Sequence, residues 1–221
     1  MSVHIGPSLG KTAANPAQSG YHLKQVNPNF ASGYYWIKSA SMPNALQMYV
    51  NMTRDGGGYD FYAFTGNGTS IGSYSATTHS GYALGLDLVY PRSKEHWYAM
   101  SEFVRNVLGS TGNEYFQTVY AVYRTTTGGA GSRSGNYTGD IMRDPTYYST
   151  GAPDWRVPDG GRWWLRDTTF GEPNGDYTAN NFLGGYTFPN PYAGTDLGFN
   201  DVTSQAYVTG AYYLCSTNAK P

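Results

Sequence analysis

The stretch that decides the fold is residues 46–59, which read LQMYVNMTRDGGGY. Its first half has a two-residue period, the signature of a strand with one buried face. The apolar positions of that period are Leu46, Met48, Val50 and Met52. Three consecutive glycines at 56–58 then permit a turn that other residues adopt poorly. The stretch therefore predicts a strand, a glycine turn and a returning strand over residues 59–64.

Further strand-like segments lie on both sides of this hairpin. Upstream, residues 33–37 combine three aromatic residues with Ile37, a composition that suits a half-buried strand. Downstream, the sequence predicts strands over residues 114–124, 163–165 and 206–215. Residues 171–200 are rich in Gly, Asn, Pro and Tyr, so we expect long ordered loops there.

One segment has the spacing of an amphipathic helix. It follows Pro91, and Ser93 is its expected N-cap. Its apolar positions recur at intervals of three and four: Trp97, Met100, Phe103, Val104, Val107 and Leu108. Gly109 stands where a C-terminal glycine belongs. We expect this helix to cover one face of a sheet, and the fold class to be β-rich α+β with few helices.

The N-terminal residues follow neither period. Pro7, Pro16 and Pro28 interrupt the segment, with small and polar residues between them. We therefore predict an extended N-terminal arm over residues 1–30, which either docks on another protein or stays flexible. A single domain over residues 31–221 follows it.

The composition excludes several classes of protein. Lys and Arg number 14 against 15 Asp and Glu, so there is no basic excess for a nucleic-acid backbone. No apolar run approaches the ~20 residues of a membrane helix, and we expect no membrane insertion. Cys215 is the one cysteine, which rules out an intramolecular disulfide and fits assembly in a reducing cytosol. We expect it to be a buried, inert thiol.

The catalytic patterns fail on inspection. Residues 6–10 match G-x-S-x-G but lack the strand and helix that a nucleophile elbow needs. The four histidines are not at metal-ligand spacing, and we expect His96 on the helix surface. We therefore predict that the protein is not an enzyme and has no catalytic residues. A polysaccharide hydrolase with a close carboxylate pair is kept as a minor alternative.

Residues 33–38 and 47–59 together resemble the start of a fibrinogen-like domain. That family begins with a G-x-Y-x-I strand and continues with V-Y-C-D-M-x-x-D-G-G-G-W. The order, the spacing and the triple glycine all agree with this chain. Intelectins, a lectin branch, share this opening and have a Gly-rich C-terminal third, which residues 184–186 and 198–201 echo. The resemblance implies a fibrinogen-like or intelectin-like single domain.

The chain also departs from that family. Val50 stands at the family cysteine, Asn51 at its aspartate and Tyr59 at its tryptophan. With Cys215 alone, none of the family's disulfides can form. Disulfide-free chains of this kind resemble virion proteins of tailed phages. The resemblance therefore implies a place on the virion surface after assembly in the host cytoplasm, with a secreted extracellular lectin as an alternative.

The resemblance further implies a ligand site in the C-terminal third. Aromatic rings stack on sugar faces, and Asn and Asp bond sugar hydroxyls. The predicted ligand-binding residues are Tyr177, Tyr186, Tyr192, Phe199, Asn200 and Asp201. The predicted calcium ligands are Asp176, Asn180 and Asn181, which supply the oxygen atoms that calcium prefers. The same residue types also serve loop packing and turns, so both interpretations stay open.

Two functions follow from these observations. In the first, a lectin-like domain on the virion recognises host cell-surface glycans. In the second, the protein decorates a capsid, cements it or bridges parts of a tail, and binds no ligand. In both, the N-terminal arm contacts other capsid or tail proteins, and the chain works as a homo-oligomer in an assembly.

Overall fold

The computed structural model describes residues 8–65, 81–89, 92–109, 118–124, 141–143, 155–156, 163–165, 182–187, 197–202 and 212–221. The helices are α1 (Gly20–Val26) and α2 (Lys94–Glu102), and α2 continues as a π-helical turn over Phe103–Val107. The strands are β1 (Gly33–Ile37), β2 (Leu46–Asn51), β3 (Tyr59–Thr65), β4 (Asp87–Leu88), β5 (Thr118–Arg124), β6 (Ile141–Arg143), β7 (Trp155–Arg156), β8 (Trp163–Leu165), β9 (Phe182–Thr187), β10 (Leu197–Val202) and β11 (Tyr212–Ser216). This confirms a mixed α+β class. Neither helix in these ranges has the length and apolar character needed to span a membrane.

The strands of the described residues form three sheets. The largest is antiparallel with the order β1-β2-β3-β11-β4, so the final strand of the chain lies inside it. The second is antiparallel with the order β10-β9-β5-β7, and the third pairs β6 with β8 in parallel. Strand β5 also runs close to β4 and β11, which brings the second sheet next to the first.

The hairpin predicted from residues 46–64 is confirmed. Strand β2 pairs with both β1 and β3, so Tyr49 lies between Tyr34 and Phe61. The two-residue period has the expected effect, because Met48 and Val50 are completely buried, whereas Gln47 is exposed and Tyr49 is half-buried. The strand predicted at 163–165 is present as β8, and strands β5 and β11 lie in the segments predicted at 114–124 and 206–215, of which residues 114–117 and 206–211 lie outside the described residues.

The glycine turn between β2 and β3 is required by close contacts as well as by its backbone angles. Gly57 has φ +81°, and a Cβ there would lie 2.2 Å from the carbonyl oxygen of Met52. Gly58 has φ +98°, and its Cβ would lie 2.9 Å from Cα of Tyr21 in α1. The turn therefore permits α1 to pack directly against the hairpin.

Helix α2 covers one face of the first sheet, as predicted. The Ser93 hydroxyl accepts a hydrogen bond from the backbone N–H of His96 at 3.0 Å, which caps the helix. Gly109 ends the segment with φ +74°. Phe103 stacks on Tyr49 and Phe61, with ring centroids 5.1 and 5.5 Å apart. These stacked rings join the helix to the sheet.

The N-terminal segment covers the opposite face, so the prediction of an extended arm is wrong for residues 8–30. Ser19 caps α1, and Leu23 is completely buried. The backbone of Ala17 bonds to the end of β1 and the residue after it: its N–H donates to the carbonyl of Trp36 at 2.9 Å, and its carbonyl accepts from the N–H of Lys38 at 2.7 Å. The helix has only seven residues, too short to be stable alone, so packing determines it. Residues 1–7 lie outside the described residues.

The expectation of loops throughout residues 171–200 is also wrong. Strands β9 and β10 pair across six positions within and just beyond this region. Gly184 and Gly185 weaken the strand propensity of β9, which is why the sequence suggests a loop. Pairing with β5 on one side and β10 on the other compensates for that weakness.

Replacing single glycines in the β2–β3 turn separates the effect of positive φ from the effect of close packing. Gly56 has φ +74° but open space around its missing Cβ, so Gly56→Ala meets backbone strain alone, roughly 1–2 kcal/mol. Gly57→Ala adds a clash with Met52, a further ~1–3 kcal/mol. Urea denaturation of both variants measures the difference. Equal losses of stability would contradict the close packing described.

Candidate functional site

Four of the six predicted ligand-binding residues lie on the β9–β10 hairpin: Tyr186, Phe199, Asn200 and Asp201. Tyr186 pairs with Gly198, and Asn200 pairs with Gly184. Paired residues share a face of a sheet, and faces alternate along a strand. Tyr186 and Asn200 therefore belong to one face, and Phe199 and Asp201 to the other. The register divides the predicted site in two.

The face that carries Tyr186 has two glycine positions beside that residue. Gly198 is directly opposite Tyr186, and Gly184 precedes it by two residues. Glycines inside strands often mark places where a ligand or a backbone approaches closely. Both faces carry apolar residues, Phe182 and Val202 on the Tyr186 face and Leu183, Leu197 and Phe199 on the other, but the other face has a single glycine position, Gly185. Because it has two glycine positions against one, the Tyr186 face is the better candidate for ligand binding.

The remaining predicted site residues lie outside the described residues. They are the ligand candidates Tyr177 and Tyr192 and the calcium candidates Asp176, Asn180 and Asn181. Within the ranges that the structure does describe, no group of three His, Cys, Asp or Glu side chains is placed to hold a metal ion. The calcium site stays a prediction from the resemblance.

A polar cluster that the sequence did not point to lies at the turn between β2 and β3. Asp55 accepts hydrogen bonds from the Tyr59 hydroxyl at 2.5 Å and from the Ser93 hydroxyl at 3.0 Å. The bond from Tyr59, followed by those from Ser93 and the charge of Lys220, holds the pKa of Asp55 below its usual value. Burial and Asp55 raise the pKa of Tyr59, so the phenol stays a donor.

His96 lies beneath this cluster, and the expectation of a surface position was wrong. It is 3% exposed, and its ring stacks on Tyr59 with centroids 3.9 Å apart and planes at 5°. Nδ1 accepts a hydrogen bond from the backbone N–H of Arg92 at 3.1 Å, which assigns the proton to Nε2. Burial, with the charges of Lys220 and Arg92, lowers the pKa of His96 to about 3. The imidazole is therefore neutral near pH 7.

Arg54 fastens this turn to α2. Its Nε donates to Glu102 at 2.8 Å and its Nη1 to Glu95 at 3.0 Å, and both carboxylates raise the pKa of Arg54. Because the side chains are about one-third exposed or more, each pair adds only ~0–1 kcal/mol. These bonds fix the position of the turn relative to α2. The carboxylates of Glu95 and Glu102 are both bound by the Arg54 guanidinium.

Cys215 is buried in β11, as predicted from its sequence neighbours. Burial raises the pKa of its thiol, with the Asp87 charge acting in the same direction. A thiol that stays protonated is a poor nucleophile, so this cysteine is a packing residue.

Comparison with known proteins yields no relative, because neither the family models, the curated proteins nor the solved structures give a match to this chain. The function therefore has to be inferred from the residues and their placement.

The buried His96 makes stability depend on pH. The unfolded chain takes up a proton near the ordinary pKa of 6.5, whereas the folded chain does so only near 3. Stability contributed by neutral His96 is therefore lost as the pH falls through this window, by up to about 1.4 kcal/mol per pH unit. We expect His96→Phe to remove this slope while keeping a ring against Tyr59.

Urea denaturation of both proteins between about pH 4 and pH 7 measures the slopes. Other titrating groups are common to the two chains, so the difference between the curves isolates His96. Parallel curves would show that the imidazole is accessible to protons in the folded state.

Proposed function

We propose that this chain is a non-enzymatic, lectin-like protein of a phage virion surface that binds host glycans through the Tyr186 face of the β9–β10 hairpin. The observation that carries this proposal is the register, which puts Tyr186 and Asn200 on one face with Gly184 and Gly198. The resemblance of residues 33–59 to fibrinogen-like domains supports the lectin-like fold and the virion setting.

A sugar suits such a face for two chemical reasons. Its apolar C–H face can stack on the ring of Tyr186, which is rigid and loses little entropy on binding. Its hydroxyls can both donate to and accept from the amide of Asn200. The adjacent glycine positions add no side chain that would compete with the sugar for the ring.

The packing of the β2–β3 hairpin supports our proposal of a fibrinogen-like domain that lacks disulfides. Val50, at the family cysteine, is completely buried. Tyr59, at the family tryptophan, is 3% exposed and stacks on His96. Val50 therefore packs in the core where the family has a disulfide cysteine, and Tyr59 packs there where the family has the larger tryptophan ring.

The extended arm over residues 1–30 was expected to contact other virion proteins, but most of that segment is part of the folded domain. Residues 8–30 pack on the domain's own sheet, with Leu9 and Leu23 buried there. We propose that the folded domain itself contacts capsid or tail proteins, in place of an extended arm formed by this segment.

The glycan proposal is tested by two substitutions on the proposed face and by a control substitution at the neighbouring position 201 on the opposite face. Asn200→Ala and Tyr186→Ala change the proposed binding face, whereas Asp201→Ala changes the opposite one. We expect each of the first two to weaken binding to a glycan array or to host cells at least roughly tenfold, and Asp201→Ala to have little effect. Circular dichroism of all three variants establishes that the fold is retained.

Two other outcomes would decide against the proposal. Equal losses from Asn200→Ala and Asp201→Ala would contradict the assignment of the face. A wild-type protein that binds no glycan, with or without calcium, but attaches to empty capsids would favour a decoration or cement protein. Comparing glycan binding with and without calcium also tests the calcium ligands predicted at Asp176, Asn180 and Asn181.

A further inference from the structure

The Lys220 ammonium group is enclosed by the turn between β2 and β3. Its Nζ donates hydrogen bonds to the carbonyl oxygens of Asp55 and Gly57, the second at 3.1 Å. It also lies 3.8 Å from the Asp55 carboxylate and 4.1 Å from the centroid of the Tyr59 ring. The Lys220 side chain is 11% exposed. We call the surroundings, formed by Asp55, Gly57 and Tyr59, the ammonium cage.

The cage is held in shape by neighbours other than Lys220. Asp55 and Gly57 both have positive φ values, +51° and +81°, and this turn presents their two carbonyl oxygens to one ammonium group. The Tyr59 hydroxyl is fixed by its bond to Asp55, and one face of its ring is covered by His96. The other face is left for a cation.

The chemistry of the cage selects a primary ammonium group. An alkylammonium has three N–H donors, and the cage offers two carbonyl acceptors, one carboxylate and one aromatic face. A quaternary ammonium could use the ring and the charge but has no N–H for the carbonyls. A partly buried cation is stabilised only where such partners surround it.

We propose that the ammonium cage is a binding site for primary alkylammonium groups, and that Lys220 fills it as a tethered ligand. The segment is anchored separately at Thr217, whose N–H and hydroxyl bond Asp60 at 2.8 and 2.6 Å. Withdrawal of Lys220 therefore opens the cage while Thr217 keeps β11 in place. A free amine, or a lysine side chain of a partner, can then enter.

The experiment uses the full chain with Lys220→Met, which keeps an apolar side chain as long as the lysine stem and removes the ammonium group. We expect methylammonium chloride to raise the Tm of this variant in a saturable way, by roughly 2–4 °C. Tetramethylammonium chloride and sodium chloride at equal ionic strength serve as controls, with wild-type protein as the filled site. The double variant Asp55→Asn/Lys220→Met should respond less to methylammonium.

Equal effects of the three salts on Lys220→Met, or an equal response of wild-type protein, would overturn the proposal. A second measurement covers the case in which Lys220→Met does not fold. In wild-type protein, proton exchange of the ammonium group of Lys220 should be at least about tenfold slower than that of exposed Lys38, as seen in nitrogen-edited NMR spectra. Exchange as fast as that of Lys38 would show that the cage does not hold the ammonium.

Discussion

The buried carboxylate of Asp60 is the interaction on which the described fold depends. It is 3% exposed and accepts four hydrogen bonds, from the N–H of Gly20 at 2.8 Å, the Ser216 hydroxyl at 2.9 Å, and the N–H and hydroxyl of Thr217 at 2.8 and 2.6 Å. Burying a carboxylate costs several kcal/mol unless such donors surround it. Helix α1, strand β3 and the C-terminal segment must therefore stay together.

This constraint has the effect of a cross-link in a chain that cannot form an internal disulfide. It joins residues far apart in sequence, because Gly20, Asp60 and Thr217 meet at one point. It also explains the small residue at position 20, where a Cβ would lie 2.8 Å from Val50 Cγ1. The first sheet, covered on both faces, becomes a firm support for the ammonium cage on its turn and for the neighbouring sheet that carries Tyr186.

The parts of the fold that the sequence could predict are those fixed by local pattern. The periods and caps predict strand β2 and helix α2, since Ser93 and Gly109 act within one turn of the helix ends. Local pattern does not predict helix α1 or strand β9, because packing and strand pairing form them against weak propensity. At the candidate site, residue type suggested Tyr186 and Asn200, but only the strand register shows that they share a face.

Native-state hydrogen exchange of Asp60→Ala tests most directly whether this carboxylate holds the three segments together. The substitution leaves buried donors without an acceptor, which costs about 3 kcal/mol or more. We expect the amides of α1, β3 and β11 to lose protection together and to the same extent. Loss of protection confined to the residues around Thr217, with α1 as protected as in the wild-type protein, would contradict the central role of Asp60.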